Sequence, residues 1–144
     1  MTKGSSISVL VVDDFAQWRR VVRIALTGKL GLRTIAEAAD GLDAVHKAED
    51  LQPDLVVLDI GLPMLNGIEA ARRIKGVSPK SKVVFLTENY SCDVAEAALD
   101  TGAGGYVVKS ACASELIPAV EAVLDGRHFL SSKLPALTVE PEIA

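Results

Sequence analysis

The chain has 144 residues, 49% of them hydrophobic and 24% charged, with a formal net charge of −4. That length supports one ordinary domain with a full core, and that composition excludes a disordered chain. The acidic balance argues against a nucleic-acid surface as the main business; no apolar run approaches the roughly 18 residues of a membrane span, and no charged-then-apolar signal opens the chain, so the cytoplasm is the default.

After a polar start, Thr2–Ser6, the run Ile7–Val12 (ISVLVV) predicts a buried strand that leads straight into Asp13 and Asp14. From Phe15 to about Thr27, Trp18, Val21, Val22, Ala25 and Leu26 recur at helical spacing, with Arg19, Arg20 and Arg23 mostly on the other side. Gly28 and Gly31 end that segment, and within its stripe Trp18 reads as core before it reads as a binding aromatic. Leu32–Ala38 predicts a weaker strand near the sheet edge, and Asp40-Gly41 turns the chain into a helix over about Leu42–Leu51, on which His46 faces solvent. Pro53 resets the chain for Leu55–Leu58, four apolar residues with no polar alternation, as in a strand buried on both faces of a parallel sheet. That strand ends in Asp59, followed by a loop punctuated by Gly61, Pro63 and Gly67. Ile68, Ala71 and Ile74 mark a third helix, broken by Ser78-Pro79.

Lys82–Leu86 predicts another buried strand, ended by Thr87. Ser91 caps a fourth helix with the stripe Val94, Ala95, Ala98 and Leu99, finishing at Gly102. Gly105–Val108 is the last predicted strand, followed by Lys109, and a fifth helix covers about Ala113–Leu124. Pro118 in that helix requires it to lie in or near the first turn. Cys92 and Cys112 share no metal or redox spacing and read as reduced, part-buried thiols. Five alternations of strand and helix predict an α/β fold, a doubly wound five-stranded parallel sheet with helices on both faces. Residues 1–130 form the domain, and Ser131–Ala144, with Pro135 and Pro141, read as a tail or truncated linker too short for a helix-turn-helix.

Four of the five predicted strands end in a charged or reactive residue: Asp13-Asp14, Asp59, Thr87 and Lys109. Crossover helices bring all these ends to one edge of the sheet, so one crevice holds three carboxylates, a hydroxyl and an ammonium. Each has a bland alternative, since an acidic pair can cap a helix, a Thr can cap, and a Lys can be solvated. Convergence of all four is what the bland reading does not explain. Two carboxylates about 5 Å apart repel by roughly 3 kcal/mol at an effective dielectric near 20, and a hard divalent cation such as Mg²⁺ relieves this. With Mg²⁺ on Asp14 and Asp59, Asp59 can attack phosphorus to give an acyl phosphate, Lys109 offsets charge on the phosphoryl oxygens, and Thr87 donates to the same group.

The set VVDD, LDIGLPMLNG, FLT and GYVVK, over about Ser8–Leu130, resembles the receiver domain of bacterial response regulators. The resemblance implies a flavodoxin-like sheet in the order 2-1-3-4-5 and Asp59 as the residue phosphorylated by a sensor histidine kinase or phosphotransfer protein. It implies Asp13, Asp14 and Asp59 as the Mg²⁺ site, Asp14 directly and Asp13 through water, with the Gly61 carbonyl as another ligand. Thr87 and Tyr106 match the switch pair and Lys109 the phosphate-sensing lysine. On phosphorylation Thr87 moves toward the phosphoryl group and Tyr106 turns inward, altering the face of the fourth helix, last strand and fifth helix, which serves partner binding or homodimerisation. Such a protein accepts a phosphoryl group and loses it again; it is not a turnover enzyme on external substrates.

The stretch from Gly102 to Ser132 is similar to receivers with LuxR-type helix-turn-helix output, so the alternative is a receiver fragment of a DNA-binding regulator; this chain alone binds no nucleic acid and no membrane. Ser110 stands where many receivers have a cis proline, and Glu88 where many have a small residue, which implies a narrower entrance and altered phosphoryl turnover. A flavodoxin-type cofactor binder needs a Gly-, Ser- and Thr-rich first loop rather than Asp13-Asp14-Phe15. A phosphatase of the haloacid dehalogenase type needs its nucleophile after the first strand in a DxDxT pattern, which is absent. Against a degenerate receiver that never takes phosphate stand the intact acids, Thr87 and Lys109.

Overall fold

The computed structural model of the chain describes residues 6–135. Residues 2–5 of the polar start and 136–144 of the tail lie outside the described residues. In chain order the elements are β1 (Ile7–Val12), α1 (Ala16–Leu26), β2 (Leu32–Ala38), α2 (Gly41–Leu51), β3 (Leu55–Leu58), α3 (Gly67–Val77), β4 (Lys82–Thr87), α4 (Cys92–Leu99), β5 (Gly105–Val108), α5 (Cys112–Leu124) and β6 (Phe129–Leu130). All pairings are parallel, in the order β2-β1-β3-β4-β5-β6.

The apolar strands are buried because successive side chains feed two separate cores. Leu10, Val12, Val56, Leu58, Phe85 and Tyr106 point to one face, under α2, α3 and α4. Val9, Val11, Leu55, Val57, Val84 and Val107 point to the other, under α1 and α5. Short polar side chains start three helices: Asp40 accepts from Asp43 N at 2.8 Å, Asn66 from Glu69 N at 3.0 Å, and Ser91 from Val94 N at 3.4 Å. His46 is exposed, Cys112 is a buried thiol and Cys92 a half-buried one.

Three expectations need correction. The sheet has six strands rather than five. After α5, Gly126 at φ +82° turns the chain back, and Phe129 N donates to Gly104 O at 3.0 Å and Ser131 N to Tyr106 O at 2.8 Å. This short strand covers the edge that β5 would otherwise leave unpaired. Beyond it, Ser131 is buried and Ser132 donates through its amide and hydroxyl to Glu115 Oε2, at 3.0 and 2.5 Å. Pro118 lies well inside α5, not in its first turn. The carbonyl of Ser114, deprived of its helical N–H, is on the exposed face with Pro118, where water can serve it. Val21 is 46% exposed although its spacing placed it in the α1 stripe. It lies about 100° round the helix from Val22, and the narrow contact with the sheet takes only Trp18, Val22, Ala25 and Leu26.

Candidate functional site

The site follows from register. Val12 pairs with Leu58, Leu58 with Phe85, and Thr87 with Val108, so β1, β3, β4 and β5 end along one line. The ladder continues past the strands, with Asp13 N donating to Ala38 O at 3.1 Å and Asp59 N to Val12 O at 3.0 Å. The backbone beneath both carboxylates is therefore fixed. They stand where the strand order reverses between β1 and β3, the crevice that open α/β sheets use for ligands.

Carboxylate oxygens of Asp13, Asp14 and Asp59 lie within 4.8 Å of one another. Asp13 and Asp59 are buried while Asp14 is exposed. The buried pair is held together by Lys109, whose Nζ is 2.6 Å from Asp13 Oδ2 and 3.1 Å from Asp59 Oδ2. The remaining oxygens are also engaged: Asp13 Oδ1 accepts from Phe15 N at 2.9 Å and Asp59 Oδ1 from Ile60 N at 2.7 Å. Burial alone would pull the Lys109 ammonium toward neutrality, but its bond to Asp13 and the charges of Asp59 and Asp13 outweigh it and hold its pKa above the ordinary lysine value. The donor set suits a hard, oxygen-seeking cation, because three carboxylates share one ammonium.

Asp14, Asp59, Gly61, Thr87 and Lys109 line one open cavity of about 360 Å³, with Phe15, Ile60, Glu88 and Asn89. Every residue read from the sequence as catalytic or metal-binding is thus at this crevice, with Asp13 beneath its floor. Tyr106, read from the sequence as the second member of a switch pair, is set apart from it. The ring is fully buried, its centroid 6.2 Å from that of Phe85, and its hydroxyl donates to Asn89 O at 2.8 Å. Burial, and then the charge of Asp59, push its pKa up to about 12. The inward turn expected on phosphorylation already describes this ring, because Asn89 supplies a carbonyl for the hydroxyl in the interior.

Two glycines shape the loop after Asp59. A Cβ on Gly67 would lie 1.9 Å from Asp59 O, and one on Gly41 would lie 1.9 Å from Leu65 O. A side chain at Gly67 would have to move the backbone of Asp59 itself, and one at Gly41 the backbone of Leu65 in the loop that follows. Sequence reasoning missed Asn89, whose N donates to Thr87 Oγ1 at 3.4 Å while its carbonyl takes the Tyr106 hydroxyl. It also missed Trp18 as a neighbour of the site: the ring is half-buried on the α1–α5 core as expected, yet Lys109 Nζ stands 4.8 Å from its centroid.

The family model for the response regulator receiver domain matches residues 9–121. The response regulator protein VraR of Staphylococcus epidermidis is 35% identical over 129 residues, which cover 90% of this chain and 62% of that protein. The response regulator GacA of Pseudomonas viridiflava is 33% identical over 128 residues, 89% of this chain and 60% of that protein. This chain therefore spans about 60% of the length of these curated relatives. Among solved structures, a two-component response regulator of the LuxR family from Aurantimonas sp. SI85-9A1 superposes with a TM-score of 0.83 at 35% identity, covering 89% of this chain and 91% of that one. With the acidic cluster, the lysine and the strand order, these matches identify the chain as a member of the response regulator receiver domain family.

Proposed function

We propose that Asp59 is the phosphoacceptor of a two-component phosphorelay, taking a phosphoryl group from a sensor histidine kinase or phosphotransfer protein. The observation that carries this reading is the Lys109 ammonium shared by Asp13 and Asp59, with a third carboxylate within reach. One Asp59 oxygen donates an electron pair to phosphorus while the bond from phosphorus to the donor's imidazole nitrogen breaks, and that pair leaves with the nitrogen. The Ile60 amide and Lys109 orient the carboxylate, so attack needs little reorganisation. Lys109 then offsets charge on the phosphoryl oxygens, and the Thr87 hydroxyl donates to one of them. Bound Mg²⁺, held by Asp13, Asp14 and Asp59 with the Gly61 carbonyl, would supply further positive charge there.

The outcome is a switched surface rather than a released product, so the chain is not a turnover enzyme on external substrates. Thr87 and Tyr106 are the switch pair, and α4, β5 and α5 form the face offered to an output partner or a second copy. We place this role in the cytoplasm, where two-component phosphorelays act on their receivers; no helix of the described residues is long and apolar enough to cross a membrane. The LuxR-family neighbour and the relatives' greater length favour a second reading, in which this receiver governs DNA binding by a helix-turn-helix encoded outside this chain.

The test is acetyl phosphate with Mg²⁺. The parent should gain one phosphoryl group, lost in hydroxylamine as acyl phosphates are, and Asp59→Asn should gain none. The same adduct on Asp59→Asn by mass spectrometry rules out Asp59 as the acceptor.

A further inference from the structure

Trp18 is the only tryptophan of the chain, on the first turn of α1. The ring is half-buried, packed against the α1–α5 core, and lines a groove of about 630 Å³ between α1 and α5 with Val21, Ile24 and Ile117, while Lys109 stands over it. Nζ lies 4.8 Å from the ring centroid, inside the roughly 6 Å over which an aromatic face attracts a cation. The Lys109 side chain is only 4% exposed, so water competes little for the ammonium.

From this geometry we propose that Trp18 is a positioning residue that holds the Lys109 ammonium at the Asp13–Asp59 pair. An ammonium has three N–H groups; two carboxylates and one ring face surround this one. Of these contacts only the ring is uncharged. It therefore persists when charge among the carboxylates is redistributed, as it is when Asp59 gains a phosphoryl group. A lysine carries a flexible four-carbon stem, and two anions alone leave it several rotamers from which to reach them. The ring removes those alternatives and keeps Nζ on the side where the phosphoryl oxygens arrive. This last step rests on the phosphoacceptor reading; the seat itself does not.

The experiment compares the parent with Trp18→Phe, which keeps a ring face, and Trp18→Met, which keeps an apolar, polarisable side chain without one. In the unphosphorylated parent, NMR should show the Lys109 ε-methylene protons shifted upfield by the ring and a slowly exchanging Nζ ammonium. Trp18→Phe should keep the protected ammonium and Trp18→Met should lose it, with both variants melting cooperatively. Phosphorylation by acetyl phosphate should be within about twofold of the parent for Phe and about three- to tenfold slower for Met, the range a desolvated cation–ring contact commands. Lys109 ε-protons at ordinary positions in the parent would overturn the proposal without any variant. So would a Met variant with the parent's ammonium protection and rate. A parent inert to acetyl phosphate would sink the phosphoacceptor reading and leave the ammonium comparison to decide the role of Trp18.

Discussion

The Tyr106 hydroxyl donates to the carbonyl oxygen of Asn89 at 2.8 Å, and the Asn89 amide donates to Thr87 Oγ1 at 3.4 Å. One loop residue thus touches both members of the proposed switch pair. A phosphoryl group that draws the Thr87 hydroxyl away takes an acceptor from Asn89 and disturbs the seat of Tyr106. We predict that beryllofluoride with Mg²⁺, a phosphoryl mimic, perturbs the NMR signals of Thr87, Asn89, Tyr106 and α4 together. A ligand shifts the two states only by its differential affinity for them, so partial shifts at low occupancy are expected. Changes confined to the neighbours of Asp59, with Asn89 and Tyr106 silent, would show that this relay is not the switch.

The same ring gives a prediction at alkaline pH. Burial first, and then the charge of Asp59, raise the Tyr106 pKa to about 12, against about 10 in an unfolded chain. A raised pKa means that the folded state holds the proton longer. Its contribution to stability is complete below about pH 10 and is lost as pH rises through about 12. Two units correspond to about 2–3 kcal/mol. Subtracting the urea stability of Tyr106→Phe from that of the parent cancels the other titrations. The difference should fall by that amount across this window, and a flat difference contradicts the burial argument.

How far the sequence revealed the fold depends on how local each signal was. Leu55–Leu58 was legible because all four side chains are buried and no alternation survives. Asp13, Asp59, Thr87 and Lys109 were legible because parallel strands bring their C-terminal ends to one edge. Phe129–Leu130 was not, because two residues carry no periodicity and the strand exists only where β5 offers an open edge. Asn89 was invisible for another reason: Tyr106 uses its main-chain carbonyl, which any residue could supply. Trp18 was placed correctly on the core face, but its contact with Lys109 joins α1 to the end of β5, and no spacing rule encodes that.

Glycines in α3 should respond with opposite signs. A Cβ at Gly67 would lie 1.9 Å from Asp59 O and 2.7 Å from Ile60 Cα, and both neighbours are backbone that cannot swing aside. Gly67→Ala should therefore cost about 3 kcal/mol or more and displace Asp59. At Gly76 a Cβ meets nothing within 4 Å, so Gly76→Ala should stabilise by about 0.5–1 kcal/mol through helix propensity and reduced unfolded-chain freedom. Urea denaturation measures both. A Gly67→Ala variant as stable as the parent would mean that the loop after Asp59 is not fixed as described.

Removing the shared ammonium tests the charge balance of the site. Lys109→Met retains much of the stem but leaves Asp13 and Asp59 facing each other with no cation between them. Breaking a buried pair by deleting one partner costs about 3–5 kcal/mol. Water reaches this crevice through the exposed Asp14 side, so the lower end, about 3 kcal/mol, is expected in chelator-treated protein at neutral pH. The cost is electrostatic, so it should be recoverable in two ways. Adding Asp13→Asn to Lys109→Met removes one of the facing charges and should restore part of the loss. Adding Mg²⁺ should raise the melting temperature of Lys109→Met more than that of the parent, because an ion that binds the folded state stabilises it in proportion to its affinity, and the variant offers the acids without a competing ammonium. Equal Mg²⁺-induced shifts in variant and parent, or a Lys109→Met protein as stable as the parent in chelator, would show that Lys109 does not balance these carboxylates.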